Sequence, residues 1–249
     1  MIPRIKSLWL PKKGYLQDEC EDSILVHPSH SRHVDKYKFA IADGATESSF
    51  SKEWASLLTG SIQNKKDINV PFLLNALPYL QALWKEKVFS RPLPYYAEAK
   101  ALQGAFSTLL TLQINIKHLN YKCIAVGDCC LFHMRDSELI KCFPFMESKE
   151  FGNNPFLISS INSQNLGLKD FIKEVEGYFL KGDQFILMSD AIACWFFTKI
   201  EQNEKPWETI NNLFADKIHY IDNFINWLDE QREARAIKND DTSIISIFI

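Results

Sequence analysis

A chain of 249 residues, 46% of them hydrophobic and including 18 Phe and 6 Trp, has enough apolar material for one sizeable core, and its length fits a single domain over residues 1–249. Its formal charge of -3 and pI near 6.1, with no basic stripe, leave no electrostatic footprint for a nucleic-acid partner. No apolar run approaches the ~20 residues of a bilayer span. The segment Met1–Lys6 lacks a signal-peptide core, so the expectation is a cytoplasmic protein with no membrane partner.

The first strand is expected at Ser7–Leu10, followed by a turn at Pro11–Gly14 and then four acids in five residues, Asp18, Glu19, Glu21 and Asp22. Ile24–Val26 reads as a second strand. The segment Pro28–Lys36 reads as a polar loop, with His27, His30 and His33 in or beside it. With no matching cysteine set, these histidines read as a solvated loop rather than a zinc site. Tyr37–Ala42 is a third, buried strand, halted by Asp43-Gly44, a pair that taken alone is an ordinary turn signal.

Helical periodicity follows. Phe50, Trp54, Leu57, Leu58 and Ile62 share one face; Leu73, Leu77, Leu80 and Trp84 share another, after Pro71. Pro78 is expected to kink or split the second helix. A third helical stretch runs from Ala97 to Phe106.

The period then changes to that of strands, over Thr108–Ile116, Tyr121–Val126, Cys129–Met134 and Leu139–Phe145, read as an antiparallel meander. Residues 146–177 read as a surface loop with one short helix. Tyr178–Leu180 and Gln184–Met188 flank Lys181-Gly182-Asp183 as a hairpin that ends on Ser189-Asp190. Helices are expected at Trp207–Phe214 and Ile221–Ile237. Asn239-Asp240-Asp241 then precedes an almost wholly apolar strand, Thr242–Ile249, expected at the centre of a sheet. Strands and helices in segregated runs indicate an α+β sandwich. The six cysteines (20, 123, 129, 130, 142 and 194) form no C-x-x-C pair and mostly sit in apolar runs, so buried free thiols are expected.

Acids recur at strand edges: Glu21-Asp22, Asp43, Asp128, Asp190 and Asp240-Asp241. Each alone is a turn former. Gathered at one sheet edge, they would repel one another and resist ionisation without cations. Mg²⁺ or Mn²⁺ prefers such oxygen ligands, and two ions ~3.5–4 Å apart can activate a bridging water for attack at phosphorus.

Six stretches, in order along nearly the whole chain, resemble the motifs of the metal-dependent Ser/Thr protein phosphatases of type 2C (the PPM family). They are Glu21-Asp22, Asp43-Gly44, Gly104-Ala105-Phe106-Ser107-Thr108-Leu109, Val126-Gly127-Asp128-Cys129, Leu187-Met188-Ser189-Asp190-Ala191 and Asp240-Asp241-Thr242-Ser243. The resemblance implies a four-layer αββα sandwich with two central, mostly antiparallel sheets. It also implies a site for two Mg²⁺ or Mn²⁺ ions, with a third, weaker one in some members. By motif position, Asp43 would bridge both ions, Asp190 and Asp240 would hold one, and Glu21 with the Gly44 carbonyl would serve the other. Asp22 would hold metal-bound water, and Asp128 would match the ligand of the third ion. A metal-activated hydroxide would attack the phosphate of a phosphoprotein or small phosphomonoester directly.

The chain also departs from that family. Gln17 stands where an Arg usually grips the phosphate, with Lys12, Lys13 or Arg32 as possible substitutes. Ala45 stands where some members have His, Thr46–Ser49 replaces a Gly-Gly, and Ala191 replaces Gly. These changes support an alternative in which a catalytically weak or inactive phosphatase-like domain acts by binding a partner.

Overall fold

Two five-stranded sheets lie face to face in the computed structural model, which describes residues 2–28, 34–65, 67–152 and 154–249. The strands are β1 Arg4–Leu10, β2 Ser23–His27, β3 Lys36–Ala42, β4 Phe106–Ser107, β5 Leu109–Asn115, β6 Asn120–Val126, β7 Cys130–Arg135, β8 Glu138–Phe143, β9 Ile158–Ser159, β10 Lys173–Tyr178, β11 Gln184–Met188 and β12 Thr242–Phe248. The helices are α1 Ser51–Ser61, α2 Val70–Val88, α3 Tyr95–Ala101, α4 Leu168–Phe171, α5 Asp190–Glu201, α6 Pro206–Leu213 and α7 Tyr220–Glu233. One sheet has the order β1-β12-β11-β7-β8 and the other β10-β6-β5-β3-β2, all pairs antiparallel; β4 and β9 form a small separate ribbon.

Strand alternation sorts the side chains into layers. Phe39 and Ile41 of β3 face inward with Leu110, Leu112, Phe185, Leu187, Ile245 and Ile247, forming the core between the sheets. Ala40 and Ala42 face the other way, under Trp54 and Leu58 of α1 and Leu77 and Trp84 of α2. The second sheet's outer face, including Phe132, Ile186 and Ile244, packs beneath Ile192 and Phe196 of α5, Ile210 of α6 and Phe224 of α7. This is the four-layer αββα sandwich that the motifs imply.

Several local expectations are corrected. Pro78 does not split α2, which runs unbroken from Val70 to Val88. It lies on the exposed side, while Leu73, Leu77, Leu80 and Trp84 hold the helix from its buried face. Asn69 caps that helix, accepting from Phe72 N at 2.8 Å. The third helical stretch stops at Ala101, and α7 stops at Glu233 rather than Ile237.

The expected meander is two hairpins in different sheets: β6 belongs with β5, β7 with β8, and the chain crosses between layers at Gly127-Asp128. Tyr178–Met188 is likewise no hairpin, since β10 pairs with β6 and β11 with β7 and β12. Buried Phe179 marks that crossing, where its N–H bonds the Leu119 carbonyl. The segment 146–177 holds β9, α4 and most of β10, more order than a surface loop. β12 lies between β1 and β11, as its apolar sequence requires.

All six cysteines are free thiols, five buried and Cys194 half-buried. His27 ends β2; His30, His33 and Arg32 lie outside the described residues. Among the described residues, no helix is long and apolar enough to cross a membrane.

Candidate active site

The acids sit where strands end. After β3, the Asp43 N–H donates to Thr108 Oγ1 at 2.8 Å, and the Asp43 carbonyl accepts from Thr108 N at 2.9 Å and from Ser107 Oγ at 2.8 Å. Gly44 bridges Ser107 antiparallel, and Ala45 N donates to the Phe106 carbonyl. The Asp43-Gly44 pair is therefore clamped against a neighbouring ribbon and is not a free turn. A Cβ on Gly44 would come within 2.8 Å of the Glu21 carbonyl oxygen and 2.9 Å of Ser51 backbone, so no side chain fits there. Asp128 follows Gly127, whose φ of +93° and 2.6 Å approach of an added Cβ to Thr108 Cγ2 both demand glycine. Thr108 thus braces Asp43 and the Asp128 corner together.

Asp190 opens α5, and its Oδ1 accepts from Ala191 N at 2.6 Å. Asp240 and Asp241 precede β12. The Asp241 carboxylate accepts from Lys12 N at 2.8 Å and from Glu21 N at 2.7 Å, fastening the end of β1, the start of β2 and the start of β12 to one another. Arg232 adds a bond to the Asp240 carbonyl at 2.6 Å.

Asp43, Asp128, Asp190 and Asp240 line one cleft of about 530 Å³, together with Phe151, Pro155 and Leu157 of the segment between β8 and β9 and Trp195 of α5. Glu21 flanks it, its Oε1 accepting from Ser51 Oγ at 2.5 Å. Asp22 lies behind, buried, and neither of its carboxylate oxygens has a hydrogen-bond partner, although the Ser189 and Ser243 hydroxyls lie near enough to favour its charge. A second hollow of about 390 Å³, lined by Lys36, Tyr121, Lys122 and Glu176 among others, contains none of these acids.

Crowding sets the charge state. Burial first, then Asp22, Asp190, Asp128 and Asp240, hold the Asp43 carboxyl well above the usual carboxylate range. Burial, then Asp241 and Asp190, do the same for Asp22. Asp190 is raised by burial and by Asp240, and Asp128 is pushed up to about 7 by burial and by Asp190. Asp240 differs: burial alone would raise it, but bonding to Lys238 and the charges of Lys238 and Lys12 bring it below the ordinary value.

Among the described residues, no three His, Cys, Asp or Glu side chains are gathered as a preformed ligand set. Asp43, Asp128, Asp190 and Asp240 still share one cleft. The donors nonetheless suit a hard divalent cation: they are carboxylates plus one backbone carbonyl, and the buried Asp22 carboxylate lacks any partner. Gln17 stands apart from the cleft. It is exposed on a short turn, and its Nε2 donates to the Trp9 carbonyl at 3.1 Å. Lys13 pairs with Glu233 on the surface. The sequence reading gives Lys238 no place in the site, and Asp241 and Thr108 lie inside its motifs without a role of their own. The doubled Asp240-Asp241 and the Lys12-Lys13 pair just ahead of the acidic stretch were the available signals.

No family model matches the chain, and no curated protein matches it. Solved structures do. The serine/threonine phosphatase PstP of Mycobacterium tuberculosis aligns at TM-score 0.62 and 14% identity, over 100% of this chain and 99% of that one. The catalytic domain of PstP with two manganese ions aligns at 0.58 and 14%, over 99% and 97%. RsbX in complex with magnesium aligns at 0.54 and 16%, over 98% and 94%. The chain therefore has the fold of the PP2C-type (PPM) phosphatases.

Proposed function

We propose that this chain is a divergent PPM-type phosphatase that hydrolyses phosphoserine and phosphothreonine, or another phosphomonoester, with the help of two Mg²⁺ or Mn²⁺ ions. The observation that carries the reading is the shared cleft: Asp43, Asp128, Asp190 and Asp240 line it, and the partnerless Asp22 lies directly behind. Solved structures of the same fold carry manganese or magnesium, which supports the same class of ion here.

In this reading Asp43, Asp190, Asp240, Glu21 and the Gly44 carbonyl would hold the two ions, and Asp128 would serve a third, weaker position. Such ions supply charge neutralisation at phosphorus and activation of water. The chain's own residues provide the rest. Ser107 and Thr108 hold the Asp43 backbone rigid, so its carboxylate is aimed before any ligand arrives. Asp22, raised well above the ordinary range, is able to hold or accept a proton beside Asp43. Phe151, Pro155 and Leu157 add an apolar part to the lining of the acidic cleft.

Hydrolysis of a chromogenic phosphomonoester with Mn²⁺, Mg²⁺ or EDTA tests this. Turnover that depends on the metal and vanishes in EDTA is expected. A second reading, a phosphatase-like binding module without turnover, draws on Gln17, a neutral amide in place of a guanidinium, whose Nε2 bonds the Trp9 carbonyl. Metal binding with no turnover on any phosphopeptide would favour it.

A further inference from the structure

The acids of the cleft divide into two groups by what already touches them. The Asp22 oxygens have no hydrogen-bond partner. The two carboxylates assigned here to different ions, Glu21 and Asp240, are instead joined through one ammonium group. Lys12 Nζ stands 3.5 Å from Glu21 Oε2 and 3.4 Å from Asp240 Oδ1, and it donates to Thr46 Oγ1 in the loop after Gly44. Its side chain is 14% exposed. Its backbone is fixed as well, through the bond from Lys12 N to the Asp241 carboxylate. A lysine held at both its main chain and its tip, bridging two acids of a crowded cluster, occupies the place of a counter-ion.

We propose that Lys12 is a tethered cation that orients Glu21 and Asp240 in the metal-free protein and is displaced when a divalent ion takes those carboxylates, so that it sets the protein's affinity for metal. This rests on the metal-dependent reading above. The reasons are electrostatic and geometric. A Mg²⁺ or Mn²⁺ ion must approach a carboxylate oxygen to ~2.0–2.2 Å. With an ammonium 3.4–3.5 Å from the same two carboxylates, ion and lysine would share ligands and repel in a partly buried cleft where screening is weak. The remaining oxygens are also engaged: Asp240 Oδ2 binds Lys238 Nζ at 2.6 Å, and Glu21 Oε1 accepts from Ser51 Oγ. Divalent binding is therefore an exchange: the ion arrives as Lys12 withdraws. The family resemblance does not supply this element, since its phosphate-gripping cation aligns with Gln17, which faces away.

Calorimetric titration of the full chain with Mn²⁺, beside thermal melts in EDTA, tests the exchange. Lys12→Met keeps the stem and the backbone bond to Asp241 but removes the charge. It should bind Mn²⁺ at least about tenfold more tightly than wild type, the scale of one lost like-charge contact at this distance. In EDTA it should melt at lower temperature than wild type, because Glu21 and Asp240 lose their counter-ion. Lys12→Arg, which keeps the charge, should stay near wild type in both measurements. If wild type binds Mn²⁺ and a folded Lys12→Met binds it equally or more weakly, the exchange is wrong while the metal-dependent reading stands. Absence of Mn²⁺ binding in wild type and both variants would sink the metal-dependent reading itself, and the exchange with it. Should Lys12→Met fail to fold, the Lys12→Gln variant provides the same comparison.

Discussion

One strand has an aspartate beyond each of its ends, and the two live in opposite circumstances. Asp183 stands just before β11 and Asp190 just after it, roughly 20 Å apart at the usual rise of a strand. Asp183 is saturated: it accepts from Arg135 Nε and Nη2 at 2.8 Å each, from Leu180 N at 2.9 Å and from His133 Nε2 at 2.7 Å. Burial alone would raise its carboxyl, yet bonding to Arg135, Leu180 and His133 holds it below the ordinary value. Asp190 has a single backbone donor and faces Asp43, Asp128 and Asp240, so it is raised. The same residue type is saturated with donors at the buried end and left among other carboxylates at the half-buried one. A satisfied acid reads as architecture, and a starved cluster reads as a site awaiting its counter-charge.

The contrast can be broken from either end. The largest effect is expected for Asp43→Asn, which should lower metal-dependent phosphomonoester turnover by about a thousandfold or more, since it removes the proposed bridging carboxylate. The same change should leave the metal-free fold as stable as wild type or more so, because it relieves repulsion among Asp22, Asp128 and Asp190; chemical denaturation in EDTA reads this out. Asp183→Asn should do the reverse. It strands Arg135 and His133 and should cost about 3 kcal/mol of unfolding free energy, with Mn²⁺ affinity unchanged by calorimetry.

The two ends should also respond to pH with opposite sign. At the Asp190 end the readable group is its cleft neighbour Asp128, with a folded value of about 7 against about 3.9 for an unfolded aspartate, so the stability it confers is full below the unfolded value and lost as pH rises through 7. Asp183, depressed in the fold, contributes stability above the unfolded value that is lost as pH falls through its folded one. Melting temperature in EDTA should therefore decline from pH 5 to pH 8, and saturating Mn²⁺ should abolish that decline. The smallest effect is expected for Gln17→Ala. Its exposed side chain hydrogen-bonds the Trp9 carbonyl, and KM for a phosphomonoester should move less than about twofold, as for a surface position away from the chemistry.

The sequence made the acids visible because each follows or precedes an apolar run, and an aspartate at a strand end is a local signal. The layering was visible for a similar reason: Phe39 and Ile41 alternate with Ala40 and Ala42, which tells a sheet's two faces apart. What stayed hidden was non-local. Lys173–Tyr178, with its mixed charges and Gly177, gives a weak strand pattern and becomes β10 only because β6 offers it an edge. The crossings at Gly127 and Phe179 look like hairpin turns, because short-range turn chemistry does not say which sheet the next strand will join. Lys12, beside Lys13 in a polar turn, reads from the sequence as a candidate substitute for the missing phosphate-gripping arginine and not as a bridge between two acids. Its partners Asp240 and Asp241 are more than two hundred residues away, and only β12 entering between β1 and β11 brings them to it.

That last feature has a kinetic side. The bonds from Asp241 to Lys12 N and Glu21 N span 229 and 220 residues, so the pocket of acids cannot close until nearly the whole polypeptide has found its path. Contacts of such separation carry the full entropy of loop closure and form late. An ion bound there stabilises something absent from the transition state for folding. Metal should therefore leave the folding rate almost untouched and act by slowing the rate at which the finished molecule comes apart.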